Sequence, residues 1–140
     1  MVISVNKENK VVISRHHGKQ EQHFHLYPDN NKFGIVDKKS NSGLCIFQDK
    51  PDNAAPIITD SGKHTSSWFQ IERIENGPFA HKAYHIKTHA GKCLDVAGGK
   101  IEEGAGVIQA NLAENINQLW TIELCKGANK PKGKFNNWKN

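Results

Sequence analysis

The chain has 140 residues, with nineteen Lys and Arg against fourteen Asp and Glu, a formal charge of +5 and 36% hydrophobic residues. That length suits one domain, and the composition lies far from the low-hydrophobicity, high-charge range of disordered chains. The longest apolar runs, such as Val11-Val12-Ile13 and Pro56-Ile57-Ile58, span only a few residues, which excludes a helical membrane span. Met1-Val2-Ile3-Ser4-Val5-Asn6-Lys7 lacks a basic stretch followed by an apolar one, so the expected location is cytoplasmic, or outside the cell by release without a signal peptide.

Short runs with period-two alternation recur along the chain, separated by Gly, Asn, Asp and Pro, and predict strands. In chain order they begin with Ile3-Ser4-Val5, then Val11-Val12-Ile13, then Gln22-His23-Phe24-His25-Leu26. The same succession returns as Leu44-Cys45-Ile46, Ile57-Ile58-Thr59 and Ser67-Trp68-Phe69-Gln70-Ile71. Ala83-Tyr84-His85-Ile86-Lys87-Thr88-His89 reads as a strand with Tyr84 and Ile86 on one face. A third succession follows, Leu94-Asp95-Val96, Val107-Ile108-Gln109 and Gln118-Leu119-Trp120-Thr121-Ile122. The aromatics Phe24, Phe69 and Trp120 stand 45 and 51 residues apart, so a unit of about 45 residues is present three times. One such unit cannot bury its own apolar face, whereas three around a pseudo-threefold axis can share a barrel core. The predicted fold is all-β: a β-trefoil of three pseudo-repeats, about 1–30, 31–78 and 79–125, each of four short strands, in a single domain.

After Cys125 the segment 126–140 carries five lysines and no acid, which leaves a body of fourteen bases and fourteen acids. The segment is expected to be a solvated terminus or an electrostatic handle for an anionic partner. Phe135 and Trp138 favour docking of part of it on the body. Its Gly133-Lys134-Phe135-Asn136-Asn137-Trp138 matches the start of a repeat, as in Asn31-Lys32-Phe33-Gly34-Ile35-Val36, and 133–139 is expected to supply an opening strand that the first repeat lacks.

Gly91-Lys92-Cys93-Leu94-Asp95-Val96, followed by Gly106-Val107-Ile108-Gln109 and Asn117-Gln118-Leu119-Trp120, resembles a complete repeat of the ricin-type (R-type) lectin family, with its G-x-C-L-D-V strand and Q-x-W motif. The resemblance is weaker in the first repeat, where Gln22-x-Phe24 survives, and weakest in the second, where Ser67 stands in place of the Gln. It implies a carbohydrate-binding site for galactose- or N-acetylgalactosamine-type glycans in the third repeat. Asp95 would be the principal acceptor for sugar hydroxyls, Asn117 and Gln118 its supports, and Gly98 a turn that lets backbone approach the ligand. Trp120 would be a core aromatic. Where the family has a stacking aromatic this chain has Ala110-Asn111-Leu112, and Asn111 is expected to substitute a polar contact. At the position of Asp95 the other repeats carry Ser4 and Cys45, weaker acceptors than a carboxylate. With one site per chain, useful avidity calls for a homodimer or larger assembly.

Cys45, Cys93 and Cys125 form no CxxC pair and read as free thiols; Cys93 lacks the partner with which family relatives form an intra-repeat disulfide. No HExxH, GxSxG or P-loop occurs, so neither catalysis nor a cofactor or metal is expected. His81, His85 and His89 are spaced at four, but strand geometry spreads them over some 20 Å or more rather than round one ion. Two alternatives to a lectin stay open: a protein-binding trefoil, such as a protease inhibitor or assembly partner with vestigial sugar sites, and a binder of anionic glycans through the basic tail.

Overall fold

The computed structural model describes residues 1–62, 64–123 and the backbone of 137–139. Among these residues there are twelve short strands and five single-turn 3₁₀ segments, and no α-helix. The strands are β1 (Val2–Val5), β2 (Val11–Ser14), β3 (Phe24–Asp29), β4 (Lys32–Asp37), β5 (Gly43–Ile46), β6 (Ile57–Asp60), β7 (Gln70–Arg73), β8 (Tyr84–Lys87), β9 (Cys93–Val96), β10 (Val107–Ala110), β11 (Thr121–Glu123) and β12 (Asn137–Lys139).

They form three four-stranded antiparallel sheets of one design, β3-β4-β5-β6, β7-β8-β9-β10 and β11-β12-β1-β2. Each sheet takes the last strand of one repeat, then the first, second and third strands of the next. This is the β-trefoil. β12 occupies in its sheet the place that β4 and β8 occupy in theirs, with Lys139 opposite Val2 on one side and Ile122 opposite Trp138 on the other. Of the segment expected to supply this strand, 133–136 lie outside the described residues, as do the rest of 124–136 and Asn140, Cys125 included.

The threefold symmetry is visible hydrogen bond by hydrogen bond. The third residue of each third strand donates its N–H to a carbonyl two residues before another third strand: Ile13 to Ala105 at 2.9 Å, Thr59 to Asn9 at 2.9 Å, and Gln109 to Ala55 at 3.0 Å. These bonds close β2, β6 and β10 into a ring, and these strands alternate buried and half-exposed residues because only one face of each meets the core. β1 and β9 are buried along their whole length, so an acid there, Asp95, is fixed among apolar neighbours.

Phe24, Phe69 and Trp120 are fully buried, together with Ile3, Leu44 and Leu94. Burial of such side chains stabilises by roughly 1.5–3 kcal/mol each. Trp120 adds a bond that Phe cannot make: its indole N–H donates to the Leu94 carbonyl at 3.2 Å, so the bulkiest core group leaves no polar atom unsatisfied.

The strand expected over 83–89 is shorter than the sequence predicts. β8 ends at Lys87 because the turn that follows is closed by Thr88 N–H to the Lys92 carbonyl at 2.7 Å and Gly91 N–H to the Thr88 carbonyl at 2.9 Å. His81 therefore sits in the loop before the strand at φ +63° and His89 in the turn after it, leaving only His85 on the strand. Tyr84 is half-buried and Ile86 fully buried, on the core-facing side as expected.

Candidate functional site

In the third repeat β9 presents Asp95 between Leu94 and Val96, whose side chains are buried in the core. Asp95 is buried, 7% exposed, and its carboxylate meets the 3₁₀ turn Ile116–Gln118. Asn117 Nδ2 donates to Oδ1 at 2.5 Å and Gln118 Nε2 to Oδ2 at 2.8 Å. The same Gln118 amide donates to the Asn111 carbonyl at 2.8 Å, and its Oε1 accepts the Ala113 N–H at 2.8 Å. Gln118 thus ties the acid-bearing strand to the loop after β10. An ionised carboxylate offers about four lone-pair directions, and the amides take one on each oxygen.

Of the five predicted residues, Asp95, Asn117 and Gln118 come together through side chains. Asn111 joins them through its carbonyl, while its N–H is held by Asn53 Oδ1 at 3.0 Å and its side chain is exposed. Gly98 lies in the 3₁₀ turn Ala97–Gly99 directly after β9, exposed, at φ +70°, with open space where a Cβ would be. Leu112, 53% exposed, stands in the loop after β10.

No family model and no curated protein matches the chain. Solved structures do. The designed three-fold symmetric protein ThreeFoil superposes with a TM-score of 0.77 at 21% identity, over 85% of this chain and 87% of that one. The Macrolepiota procera ricin B-like lectin, solved in complex with lactose, gives 0.73 at 19% identity over 85% and 84%. The Polyporus squamosus lectin, bound to the epitope Neu5Aca2-6Galb1-4GlcNAc, gives 0.70 at 15% identity over 85% of this chain and 42% of that one.

The chain has the β-trefoil fold.

The trefoil's other repeats hold the same loop by different chemistry. In the first, Gln22 repeats the work of Gln118. Its Nε2 donates to Ser14 Oγ at 2.8 Å and the Arg15 carbonyl at 2.7 Å, and its Oε1 accepts from His17 N–H at 2.9 Å and Gly18 N–H at 3.2 Å. Ser4 is buried at the position of Asp95. The carboxylate here is Glu21, one residue before Gln22 and so the counterpart of Asn117. It lines a depression of about 650 Å³, 3.7 Å from His17 Nε2 and 4.0 Å from Lys39 Nζ. A backbone hydrogen bond, helped by Lys39 and His17, holds its carboxyl below the ordinary range. Sequence reasoning focused on the strand position and missed this exchange; the signal available was an acid immediately before the Q-x-F glutamine.

In the second repeat Cys45 is buried at the Asp95 position, and burial together with Asp60 and Asp49 pushes its thiol up to about 11. Ser66, not Ser67, is the buried residue of the 3₁₀ turn. Its Oγ accepts the Ile46 N–H at 2.9 Å and bonds Asp49, whose other oxygen meets His64 Nδ1 at 3.3 Å. His64 Nε2 meets Asp60 at 2.5 Å. Bonded first to Asp60 and then to Asp49, His64 is raised above its usual range; Ser66, then His64, lowers Asp49, and His64 lowers Asp60. This cluster, invisible in the motif, replaces the missing glutamine. Cys45 and Cys93 are free thiols, and among the described residues no group of three or more His, Cys, Asp or Glu could hold a metal ion.

Proposed function

We propose that this chain is a carbohydrate-binding module, a small lectin rather than an enzyme, whose third repeat takes a neutral galactose- or N-acetylgalactosamine-type residue of a glycan. The observation that carries the reading is the Asp95 carboxylate, whose two oxygens are bonded by Asn117 and Gln118 from the turn Ile116–Gln118. A carboxylate fixed in this way accepts hydrogen bonds from two adjacent hydroxyls without paying to order itself, which is the requirement for a polyol ligand bound in water. Asn117, half-buried and carrying a second N–H and a carbonyl oxygen, is placed to bond a neighbouring hydroxyl. Leu112 supplies apolar area in place of a ring, so the site binds a single sugar weakly. The structural neighbours solved with lactose and with a sialylated galactose epitope support the ligand class.

The test is titration calorimetry with lactose on the wild-type chain and on Asp95→Ala. Loss of a charged acceptor is worth about 1.5–3 kcal/mol, so affinity falls about tenfold or more. Lactose binding that is equal in the two proteins removes Asp95 from the site.

A further inference from the structure

A different part of the surface has the composition of a sugar contact and uses none of the Asp95 machinery. Trp68 lies two residues before β7 and is 37% exposed, although its neighbour Phe69 is fully buried. The backbone bridge between Phe33 and Phe69 brings Trp68 alongside Gly34 of β4. Gly34 is in turn paired across the hairpin with Tyr27, which is 50% exposed. A Cβ at Gly34 would lie 3.7 Å from Trp68 Cζ3 and 3.8 Å from Tyr27 Cβ, so the glycine forms the floor of a notch between two aromatic side chains. Beside the notch the β3–β4 turn and the start of β7 close a depression of about 380 Å³, lined by Trp68, Asp29, Asn30, Asn31, Lys32 and Gln70.

Two features give this depression its ligand class. Its polar side chains are unspent. Among the described residues Asp29, Asn31, Lys32 and Gln70 have no side-chain hydrogen bond or ion pair inside the protein, whereas Gln22, Gln118 and Asp49 are consumed in holding loops. Its charge is balanced, with Asp29 facing Lys32, so neither an anion nor a cation is preferred. Amides that donate and accept, next to a large exposed indole, suit a ring with hydroxyls on its edge and C–H groups on its face.

We infer that the Trp68–Gly34–Tyr27 notch is a second saccharide subsite, which takes a neutral pyranose ring of a glycan against Trp68 with its hydroxyls on Asp29, Asn31 and Gln70. The inference rests on the reading that this chain binds saccharides, and extends it: two unlike contacts on one trefoil supply avidity for a branched or long glycan without a second copy of the chain.

The indole N–H signals of Trp68 and the side-chain amide signals of Gln118 report the two sites separately in ¹H–¹⁵N spectra. The probes are a panel of neutral galactose-, glucose- and mannose-terminated oligosaccharides at millimolar concentration, added to wild type, Asp95→Ala and Trp68→Ala. The expected result is a shift of the Trp68 signal that persists in Asp95→Ala, with affinity for that sugar falling about tenfold in Trp68→Ala. Exposed Asn31→Ala and Gln70→Ala give a smaller loss in the same direction, which serves should Trp68→Ala fold poorly. Sugars that move Gln118 but leave Trp68 still overturn the second subsite and leave the third-repeat site standing. Sugars that move neither signal overturn both.

Discussion

Gln22 and Gln118 hold the equivalent loop in two repeats, yet only Gln118 also bonds an acid of the candidate sugar site, and this separates loop fixation from ligand binding. Gln22 is fully buried and makes four hydrogen bonds, to Ser14, Arg15, His17 and Gly18. Gln22→Ala leaves those four partners to water or to nothing. At about 1 kcal/mol per neutral bond the gross loss is about 4 kcal/mol, and solvent reaching the half-buried partners returns part of it, so a net loss of about 3 kcal/mol is expected. For a domain of this size that lowers the melting temperature by about 10 °C. Urea unfolding followed by tryptophan fluorescence measures the loss, and an unchanged m-value shows that the transition itself is the same. Lactose affinity in the folded variant should stay at the wild-type value, whereas Gln118→Ala should lose both stability and affinity. A loss below about 1 kcal/mol in Gln22→Ala would refute the claim that this glutamine holds the loop.

Three further outcomes follow from named groups. The His64 contribution is complete below the ordinary imidazole value of 6.5 and fades as pH rises through its raised folded value. The Asp49 and Asp60 contributions are complete above the ordinary 3.8 and fade as pH falls through their lowered values, so the cluster stabilises most between these limits. His64→Gln should therefore lower the melting temperature more at about pH 5.5 than at about pH 8.5, and equal effects would contradict the cluster's role. Cys45, buried and pushed to about 11, and Cys93, also buried, should resist an aqueous thiol reagent in the native protein and react on unfolding, as peptide mass mapping reads. Removing 126–140 takes β12 from between β11 and β1 and leaves two open strand edges, at a cost of several kcal/mol; an unchanged melting temperature would contradict the pairing.

The fold was legible because its three copies of each strand type keep their apolar pattern even where motif residues are lost. Ile3, Leu44 and Leu94 are equivalent in the core although the residues that follow them are Ser4, Cys45 and Asp95. The Asp95–Asn117–Gln118 contact was legible for a related reason: the residues that meet lie in two short motifs whose spacing the repeat fixes. Polar networks assembled from loops were not. Glu21 reaches its depression from a 3₁₀ turn, and Asp49, Asp60, His64 and Ser66 converge from a turn, a strand end and a loop across seventeen residues. No periodicity couples such positions. The extent of β8 was misread because hydrophobic alternation continues through Thr88 and His89, where the backbone has already turned to satisfy its own hydrogen bonds.

The account turns on Asp95 as a sugar acceptor. A glycan array at low and high salt, run on wild type and Asp95→Ala side by side, tests it most directly. The expected result is binding to neutral galactose-terminated glycans that survives salt and is lost, or falls about tenfold or more, in Asp95→Ala. Binding confined to sulfated or sialylated glycans that vanishes in salt, with Asp95→Ala indistinguishable from wild type, would contradict it.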